Sequence, residues 1–345
     1  MTSNNRQWLL RNRPRGQLSL EDLELTTGDQ HIRPLQDGQI RVRNLLFHCA
    51  PTMRNWMAEP GNNFIRTIAL GTPVLALAAS RVVESNHPRY PVGSRIVSLG
   101  CWSEYDIIDV VRFAPQPIPG GMTAIESVGM FGLNSLTAYF GLMRVGQPRS
   151  GETLVVSGAA GSTGSVAAQI GRIKGCRVIG IAGGKRKCAW LKEECGLDAT
   201  IDYHSLDVNT ALRTHCPDGI DIFYDNVGGT ILQAGVDNMA KFGRIVLCGQ
   251  IAEYNEDGPT AALSNMMRLI YGSVRVQGFL YSDYLHEIPE ALDDLIPWVR
   301  SGKILTRQDV RPGFENLPTI FNALFDGSNE GTLLGVIHDD AYAPA

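Results

Sequence analysis

A glycine-containing turn that follows an apolar strand is the part of this sequence best suited to chemistry. Residues 153–164 read Thr-Leu-Val-Val-Ser-Gly-Ala-Ala-Gly-Ser-Thr-Gly, and apolar residues at helical spacing follow. In such a turn Ala159 allows a tight reversal, Gly161 lets the backbone approach a pyrophosphate, and Gly164 lets the helix pack against the strand. Unpaired amides and the positive end of the helix dipole attract phosphate, so the segment predicts a dinucleotide site. A plain strand-turn-helix unit is the alternative, because Ala159 replaces the first glycine of the usual pattern.

Basic residues stand where a site for NAD would carry an acid. The second predicted strand, 177–182, is followed by Gly-Gly-Lys-Arg-Lys at 183–187. Asp or Glu at this point holds the ribose 2′-hydroxyl of NAD, whereas Lys and Arg stabilise the 2′-phosphate of NADP(H) by charge-assisted contacts. The missing acid favours NADP(H). The alternative is that residues 185–187 form a solvated first turn of the next helix.

The composition describes a globular protein. The chain has 345 residues, enough for two domains, and a net charge of -4 without charge runs, which argues against nucleic acid as a partner. The first residues lack the apolar core of a signal peptide, and the apolar run 69–79 is too short to cross a bilayer. We therefore expect a cytoplasmic protein with no membrane partner. Its seven scattered cysteines are expected to be free thiols.

Strand and helix patterns alternate regularly in the middle of the chain, as in repeated βαβ units. Six strands are predicted there, at 153–157, 177–182, 200–201, 220–224, 244–248 and 274–279, with a long helix over 289–300. The first hundred residues instead show short strands between Pro and Gly turns, as in an antiparallel barrel, at 39–44, 78–84 and 95–99. Strands at 308–310 and 333–337 flank a helix near 317–325, so the chain is expected to return to the first domain. The prediction is an α/β protein with a doubly wound, parallel, six-stranded sheet and a β-rich domain.

Several short stretches, in one order along nearly the whole chain, resemble a known superfamily. They are Leu136-Thr-Ala-Tyr-Phe-Gly141, Gln169-Ile-Gly-Arg-Ile-Lys-Gly175, Ile201-Asp-Tyr203, Asp225-Asn-Val-Gly-Gly229, Lys241-Phe-Gly-Arg-Ile245, Cys248-Gly249 and Tyr254-Asn255. The chain resembles the medium-chain dehydrogenase/reductase superfamily, in its zinc-independent branch of leukotriene B4 dehydrogenases, prostaglandin reductases and alkenal double-bond reductases. The resemblance implies a GroES-like β-barrel substrate domain at 1–125 and 305–345 and a Rossmann NADP-binding domain at 126–304.

The resemblance also implies an activity, which is the NADPH-dependent reduction of a carbon-carbon double bond conjugated to a ketone or aldehyde. The substrate would be a small enone or enal, and no metal would take part. Family members usually form homodimers through an edge of the nucleotide sheet, for which 273–279 is the candidate strand. A quinone reductase and an NADPH-binding sensor or scaffold without turnover remain alternatives. A zinc alcohol dehydrogenase is a further rival, but adjacent His48 and Cys49 would face opposite sides of a strand, and the usual zinc segments are absent.

Most of the site residues that the resemblance implies belong to the cofactor. The pyrophosphate falls to Gly161, Ser162, Thr163, Gly164 and Ser165, and the 2′-phosphate to Lys187 beside Gly184. The other implied contacts are Tyr203 at the adenosine end, Asn226, Cys248, Gly249, Tyr254, Phe279, Leu280, Tyr281 and, near the C-terminus, Asn329. A turn-capping role before two glycines is the alternative for Asn226. Cys248 is better explained as a small buried residue than as a nucleophile, since no base adjoins it.

Tyr254 is the predicted catalytic residue. Hydride addition to the β-carbon of an enone leaves an enolate, whose oxyanion needs a hydrogen-bond donor in a dry cleft. Tyr254 matches the family's tyrosine in the loop after the fifth strand, with Tyr281 and Tyr284 as reserves. The cofactor's ribose hydroxyl is another possible donor, and the alternative for Tyr254 is simple packing over the cofactor.

Departures from the family pattern concentrate on the substrate side. The family's approximate Leu-Asp-Pro-Tyr-Met-Arg becomes Cys49-Ala-Pro-Thr-Met-Arg54, its Gly-Met-Pro-Gly becomes Gly132-Leu-Asn-Ser135, a glycine-rich stretch becomes Leu75-Ala-Leu-Ala-Ala79, and its usual lysine is Thr332. Alanine in place of glycine narrows a cleft, and the loss of a tyrosine at Thr52 opens one. We therefore expect a pocket reshaped for a different substrate.

Overall fold

The chain divides into two compact units. One comprises residues 1–130 and 308–345, and the other comprises residues 131–307. The structure is a computed structural model and describes residues 4–28, 33–60, 67–254 and 263–345. The predicted domain limits, 1–125 with 305–345 and 126–304, differ from these bounds by a few residues.

The unit of residues 1–130 and 308–345 contains nine of the strands that the structure describes and four of its α-helices. Its strands are β1 (Asn5–Leu10), β2 (Leu23–Gly28), β3 (Gln39–Cys49), β4 (Leu75–Ser85), β5 (Arg95–Cys101), β6 (Tyr105–Asp109), β7 (Gln116–Pro117) and, after the other unit, β14 (Gln308–Pro312) and β15 (Thr332–Val336). Its helices are α1 (Thr52–Trp56), α2 (Val110–Phe113), α3 (Ala124–Gly129) and α11 (Leu317–Asp326), with short 3-10 turns at Leu20–Asp22 and Asp339–Tyr342.

The strands of this unit form a seven-stranded sheet and a separate pair, β1 with β2. The sheet order is β14-β15-β3-β4-β5-β7, and β6 pairs with the first half of β3. β15 runs antiparallel to β3, with Leu333 opposite Cys49, so the predicted return of the chain to this domain is confirmed. The pairs in this sheet are antiparallel except for β14 with β15. That pair is parallel, which an antiparallel barrel does not predict. A core around Trp102, Phe47 and Phe321 fills the unit.

The unit of residues 131–307 alternates strands with helices. Its strands are β8 (Thr153–Ser157), β9 (Arg177–Ala182), β10 (Ala199–Asp202), β11 (Ile220–Asp225), β12 (Met239–Leu247) and β13 (Arg275–Gly278). Its helices are α4 (Leu133–Phe140), α5 (Ser162–Ile173), α6 (Lys185–Glu193), α7 (Val208–His215), α8 (Gly229–Asp237), α9 (Met267–Gly272) and α10 (Ile288–Arg300). A π-helical turn at Gly141–Gly146 extends α4, and 3-10 turns lie at Ile251–Glu253 and Tyr281–Glu287.

The six strands of this unit form one sheet in the order β10-β9-β8-β11-β12-β13, and every neighbouring pair is parallel. The predicted doubly wound six-stranded sheet is therefore confirmed. Residues 154–156 of β8 are fully buried, which explains why the strand reads as an apolar run. β12 begins at Met239, whereas the predicted strand begins at 244. The added residues form an irregular stretch around Phe242, which has φ 64°, and the sequence pattern did not show this stretch.

Two further features bear on the setting of the protein. No helix in the described ranges is long and apolar enough to cross a membrane. All seven cysteines lie in described ranges and are free thiols, as predicted.

Candidate functional site

The six parallel strands end at one edge of their sheet, called the carboxyl edge below. β9 and β10 lie on one side of the pair β8 and β11, and β12 and β13 lie on the other, so the winding reverses between β8 and β11. Ligands of open α/β sheets bind at such a point. The predicted cofactor residues of this unit follow the strand ends: Gly161, Ser162, Thr163, Gly164 and Ser165 after β8, Gly184 and Lys187 after β9, Tyr203 after β10, Asn226 after β11, Cys248, Gly249 and Tyr254 after β12, and Phe279, Leu280 and Tyr281 after β13.

The tight reversal after β8 is made by Gly158, and the prediction that Ala159 makes it is wrong. Gly158 has φ 58°, a left-handed conformation that glycine adopts without strain. Ala159 is fully buried, and its amide donates to the carbonyl of Ile181 at 2.9 Å. A Cβ built on Gly180 would lie 3.0 Å from the Ala159 Cβ, so Ala159 packs against β9. A small residue is required there by packing and not by the turn.

The start of α5 is suited to an anion. Gly161 precedes the helix with extended backbone, and no side chain caps the first amides. The free first-turn amides of a helix and its dipole together favour a phosphate group. A Cβ built on Gly164 would collide with the carbonyl oxygen of Gly158, so glycine is required there for the helix to approach the turn. This matches the role predicted for Gly164.

Asn134 is a site residue that the sequence presented only as a departure from the family pattern. It lies in α4, and its side-chain amide donates to the Ser162 hydroxyl at 2.8 Å. Ser162 begins α5, so this bond fixes a hydroxyl at the helix start. The helical spacing of α4 gave no indication of which residue of α5 it faces.

A buried carboxyl group joins the ends of β8 and β11. Asp225 is fully buried and accepts hydrogen bonds from the Ser157 hydroxyl at 2.6 Å and the Gly228 amide at 2.9 Å. Burial raises the pKa of the Asp225 carboxyl. Asn226 donates its side-chain amide to the Ser157 carbonyl at 2.7 Å. The geometry thus gives Asn226 a structural contact across the strand ends, whereas the side chain that accepts from the turn amide of Gly228 is Asp225. A polar residue ending each apolar strand was the available signal for Ser157 and Asp225.

Asp225 also holds the end of β12. The amides of Cys248 and Gly249 donate to the Asp225 carbonyl at 2.8 and 3.2 Å. Burial raises the pKa of the Cys248 thiol to about 12, so the group is neutral at physiological pH. That Cys248 packs and does not act as a nucleophile stays a prediction.

The Tyr254 hydroxyl turns back toward its own loop. Its oxygen accepts a hydrogen bond from the Gln250 amide at 3.2 Å. It would lie 3.4 Å from a Cβ built on Gly249, so the hydroxyl sits close to the end of β12. Accepting this hydrogen bond from the amide polarises the hydroxyl. Asn255, the other half of the matched pair, lies outside the described residues.

The predicted 2′-phosphate region lies where β9 and β10 end. Gly184 has φ 87° and precedes α6, whose first turn carries Lys187 half-buried. The Asp202 carboxylate accepts hydrogen bonds from the amides of Gly184 at 2.8 Å and His204 at 3.1 Å. These bonds hold the pKa of Asp202 below its usual range. Sequence reasoning missed Asp202, which ties the two loops together.

Aromatic residues follow β13. A Cβ built on Gly141 would approach the Tyr224 hydroxyl at 2.6 Å and would collide with the Phe279 ring, so glycine allows this ring to pack there. Burial raises the pKa of the Tyr281 hydroxyl. Tyr284 stacks on Phe140 with ring centroids 5.1 Å apart, which gives this reserve residue a packing role.

Asn329 belongs to the other unit. It lies between α11 and β15, and its side-chain amide donates to the Gly331 carbonyl at 3.2 Å. The nearby Thr332, which replaces the family's lysine, is buried and donates its hydroxyl to the Gly129 carbonyl at 3.3 Å. Both contacts are those of loop and strand residues within this unit.

Two further substrate-side departures, at 49–54 and 75–79, also lie in that unit. Buried Arg54 donates to the carbonyls of Gly16 at 3.0 Å and Pro14 at 2.7 Å, so its charge anchors the N-terminal segment. Burial lowers the pKa of His48 to about 4 and raises that of Cys49 to about 12. The described residues contain no group of three or more His, Cys, Asp or Glu side chains placed to hold a metal ion.

Comparison with known proteins assigns the chain to a class. Residues 6–115 match a family model described as the N-terminal domain of oxidoreductase, and residues 162–297 match one described as zinc-binding dehydrogenase. The chain is 36% identical to an NADPH-dependent curcumin reductase of Escherichia coli, over 97% of this chain and 98% of that protein. It is 34% identical to an NADP(+)-dependent 2-alkenal reductase of Nicotiana tabacum, over 95% of this chain and 96% of that protein.

A solved structure agrees with these relatives. The crystal structure of CurA from Vibrio vulnificus in complex with NADPH superposes with a TM-score of 0.88 at 33% identity, covering 97% of this chain and 99% of that one. The chain belongs to the zinc-independent medium-chain dehydrogenase/reductase family that includes curcumin, alkenal and prostaglandin reductases.

Proposed function

We propose that this protein is an NADPH-dependent reductase of the carbon-carbon double bond of α,β-unsaturated ketones or aldehydes. The observation that carries the proposal is the carboxyl edge itself. An uncapped helix start after β8 and a basic first turn after β9 lie there, in a chain 36% identical to a reductase of this kind. The oxidoreductase uses NADP(H), since its relatives are NADPH-dependent and no acid ends β9.

The cofactor contacts within this unit follow from the strand ends. The amides and hydroxyls that begin α5, Ser162 to Ser165, would hold the pyrophosphate. Lys187 and Gly184 would hold the 2′-phosphate, and Tyr203 the adenosine end. Asn226, Cys248, Gly249 and the segment from Phe279 to Tyr281 would border the nicotinamide half. Asn329 is proposed as a further cofactor contact.

In the proposed reaction, the chain's own part is to stabilise the charge that develops on the substrate. When bound, reduced nicotinamide supplies a hydride, which goes to the β-carbon of the substrate. Tyr254 would donate its hydroxyl hydrogen to the substrate carbonyl oxygen, where negative charge develops as the enolate forms. Its contact with the Gln250 amide supports this role, because an accepted hydrogen bond makes the hydroxyl a better donor. Solvent would deliver the final proton to the α-carbon.

We also propose that the protein is a homodimer. β13 is the outer strand of its sheet, and Arg275–Gly278 is exposed at every position. Exposed apolar side chains surround it in sequence: Met266, Met267, Ile270, Tyr271, Val276 and Leu280. An unpaired strand edge beside apolar side chains favours pairing with another chain, and a second copy offers the same edge in a symmetric contact.

Turnover with a substrate panel tests the proposed function. The protein should oxidise NADPH in the presence of enones and enals and release the saturated ketone or aldehyde. Turnover of quinones alone would make it a quinone reductase. Tight NADPH binding without turnover of any acceptor would make it a sensor or scaffold. The cytoplasm remains the proposed compartment, in keeping with seven free thiols.

A further inference from the structure

We propose that His204 is a protonation-dependent contact for the 2′-phosphate, which makes the preference for NADP(H) over NAD(H) rise as the pH falls below about 7. The proposal rests on the proposed function, because it assumes that the 2′-phosphate binds between the ends of β9 and β10. His204 is not among the cofactor contacts proposed under the proposed function.

The position of the imidazole ring carries the proposal. A Cβ built on Gly183 would lie 2.9 Å from His204 Cε1 and 2.8 Å from the Tyr203 hydroxyl, so both rings close over the Gly183 backbone. Cε1 is bonded to both ring nitrogens, so the edge of the imidazole that carries its N–H groups faces this loop. The two rings meet edge to face, with centroids 4.4 Å apart. His204 is exposed, so a ligand can reach it.

Asp202 fixes this arrangement. One carboxylate oxygen accepts hydrogen bonds from the amides of both Gly184 and His204. The loop after β9 and the loop after β10 are therefore held by a single group. A phosphate that meets the loop after β9 would meet the His204 ring at a fixed position.

Charged groups from two elements lie around His204. Asp202 is on its own loop, and the attraction between the two side chains contributes to the lowered pKa of Asp202. Lys185, Arg186 and Lys187 begin α6 after the facing loop and oppose a further positive charge until a dianion arrives. Imidazole side chains change charge between about pH 5 and 8. Protonated His204 would donate a charge-assisted hydrogen bond to the 2′-phosphate, which NAD(H) lacks.

Calorimetric titrations of NADP+ and NAD+ at several pH values test the proposal, with the full-length protein and the His204→Gln variant. The ratio of the variant's Kd to the wild-type Kd for NADP+ should be near unity at pH 8 and rise to about three- to tenfold at pH 5.5. The same ratio for NAD+ should stay near unity throughout. Taking this ratio cancels the protonation of the free phosphate near pH 6, which is common to both titrations.

Two further variants sharpen the result. His204→Lys carries a permanent charge and should bind NADP+ at pH 8 more tightly than the wild type does. His215→Gln is the matched control, because α7 ends at His215 before β11 begins, at the edge of the sheet opposite the carboxyl edge. It should follow the wild type at every pH.

The outcomes separate this proposal from the proposed function. If Lys187→Ala weakens NADP+ binding while His204→Gln follows the wild type at every pH, the role of His204 is wrong and the 2′-phosphate site stands. If neither substitution changes NADP+ binding, the proposed site itself is wrong. A loss of affinity in His204→Gln that is equal for NADP+ and NAD+, or equal at every pH, would also overturn the proposal.

Discussion

At the scale of single residues, the proposed reaction depends most on the Tyr254 hydroxyl. It is placed beside Gly249 at the end of β12 and accepts the Gln250 amide hydrogen bond. A donor fixed in this way needs little reorganisation when charge develops on a substrate oxygen. Tyr284, by contrast, stacks its ring against Phe140.

Tyr254→Phe tests this difference. Loss of the donor should lower kcat and kcat/KM together by up to about 10²- to 10³-fold and leave NADPH binding nearly unchanged, because the ring is kept. Steady-state kinetics and cofactor titration provide both readouts. Tyr284→Phe is the matched control and should behave as the wild type. An unchanged kcat in Tyr254→Phe would remove the residue from the mechanism, and weakened NADPH binding at normal kcat would assign it to the cofactor.

The cysteines allow a second prediction at this scale. Burial raises the pKa of the thiols of Cys49, Cys195 and Cys248 to about 12, and of Cys176 and Cys216 to about 11. A raised thiol pKa means that the reactive thiolate is scarce at neutral pH and increases as the pH rises toward that value. Activity should therefore survive treatment with iodoacetamide at pH 7, and inactivation should accelerate only in alkaline solution. Rapid loss of activity at pH 7, with alkylation located by mass spectrometry, would contradict this picture.

At the scale of elements, the contact between α5 and the turn before it decides whether the carboxyl edge can form. Gly164 brings the helix against the Gly158 carbonyl, and Gly158 makes the reversal. The helix start is thereby placed at the point where the winding of the sheet reverses. The proposed pyrophosphate site is therefore formed by backbone packing and not by a charged side chain.

Gly164→Ala should disturb this contact. The added methyl group would push α5 from the turn, lowering the free energy of unfolding by about 1 to 3 kcal/mol and weakening NADP+ binding. Urea denaturation and calorimetric titration measure the two effects. Gly120→Ala is the control, since a Cβ at Gly120 has no atom within 4 Å and should change neither quantity. Wild-type stability and affinity in Gly164→Ala would contradict the packing argument.

Much of the element pattern could be predicted from the sequence. β8 and β9 follow from continuous apolar runs, and α5 and α10 follow from helical spacing, because these signals are local. The contacts of Asp225 and Asp202 could not be predicted, since they depend on which strand ends become neighbours in the sheet. The turn residue was misassigned for a related reason: Ala159 occupies the position of the usual first glycine, but its packing against Gly180 is a tertiary contact.

At the scale of the whole molecule, the exposed outer strand is the feature with the clearest consequence. β13 has its partner β12 on one side, and its four residues are exposed. β10 forms the opposite outer strand, and two of its four residues are buried. The two edges therefore differ, and β13 is the one that the proposed dimer uses.

Light scattering should show a particle of twice the 37.7 kDa chain mass. Tyr271→Asp with Val276→Lys should reduce this mass to that of one chain, because charges on both exposed apolar positions oppose a close contact. Leu206→Asp, an exposed position that follows β10, should leave the mass unchanged. A wild-type particle of one chain mass would exclude the dimer.

In the proposed reaction hydride goes to a carbon-carbon double bond, and the position of transferred deuterium distinguishes this from reduction of the carbonyl. The wild-type protein would be given an enone and NADPH that carries deuterium at the transferred position, and the product would be analysed by mass spectrometry and NMR. Reduction of the double bond predicts a saturated ketone with one deuterium on the former β-carbon and none on the carbonyl carbon. An allylic alcohol with deuterium on its carbinol carbon would contradict it, because the carbonyl would then be the group that is reduced.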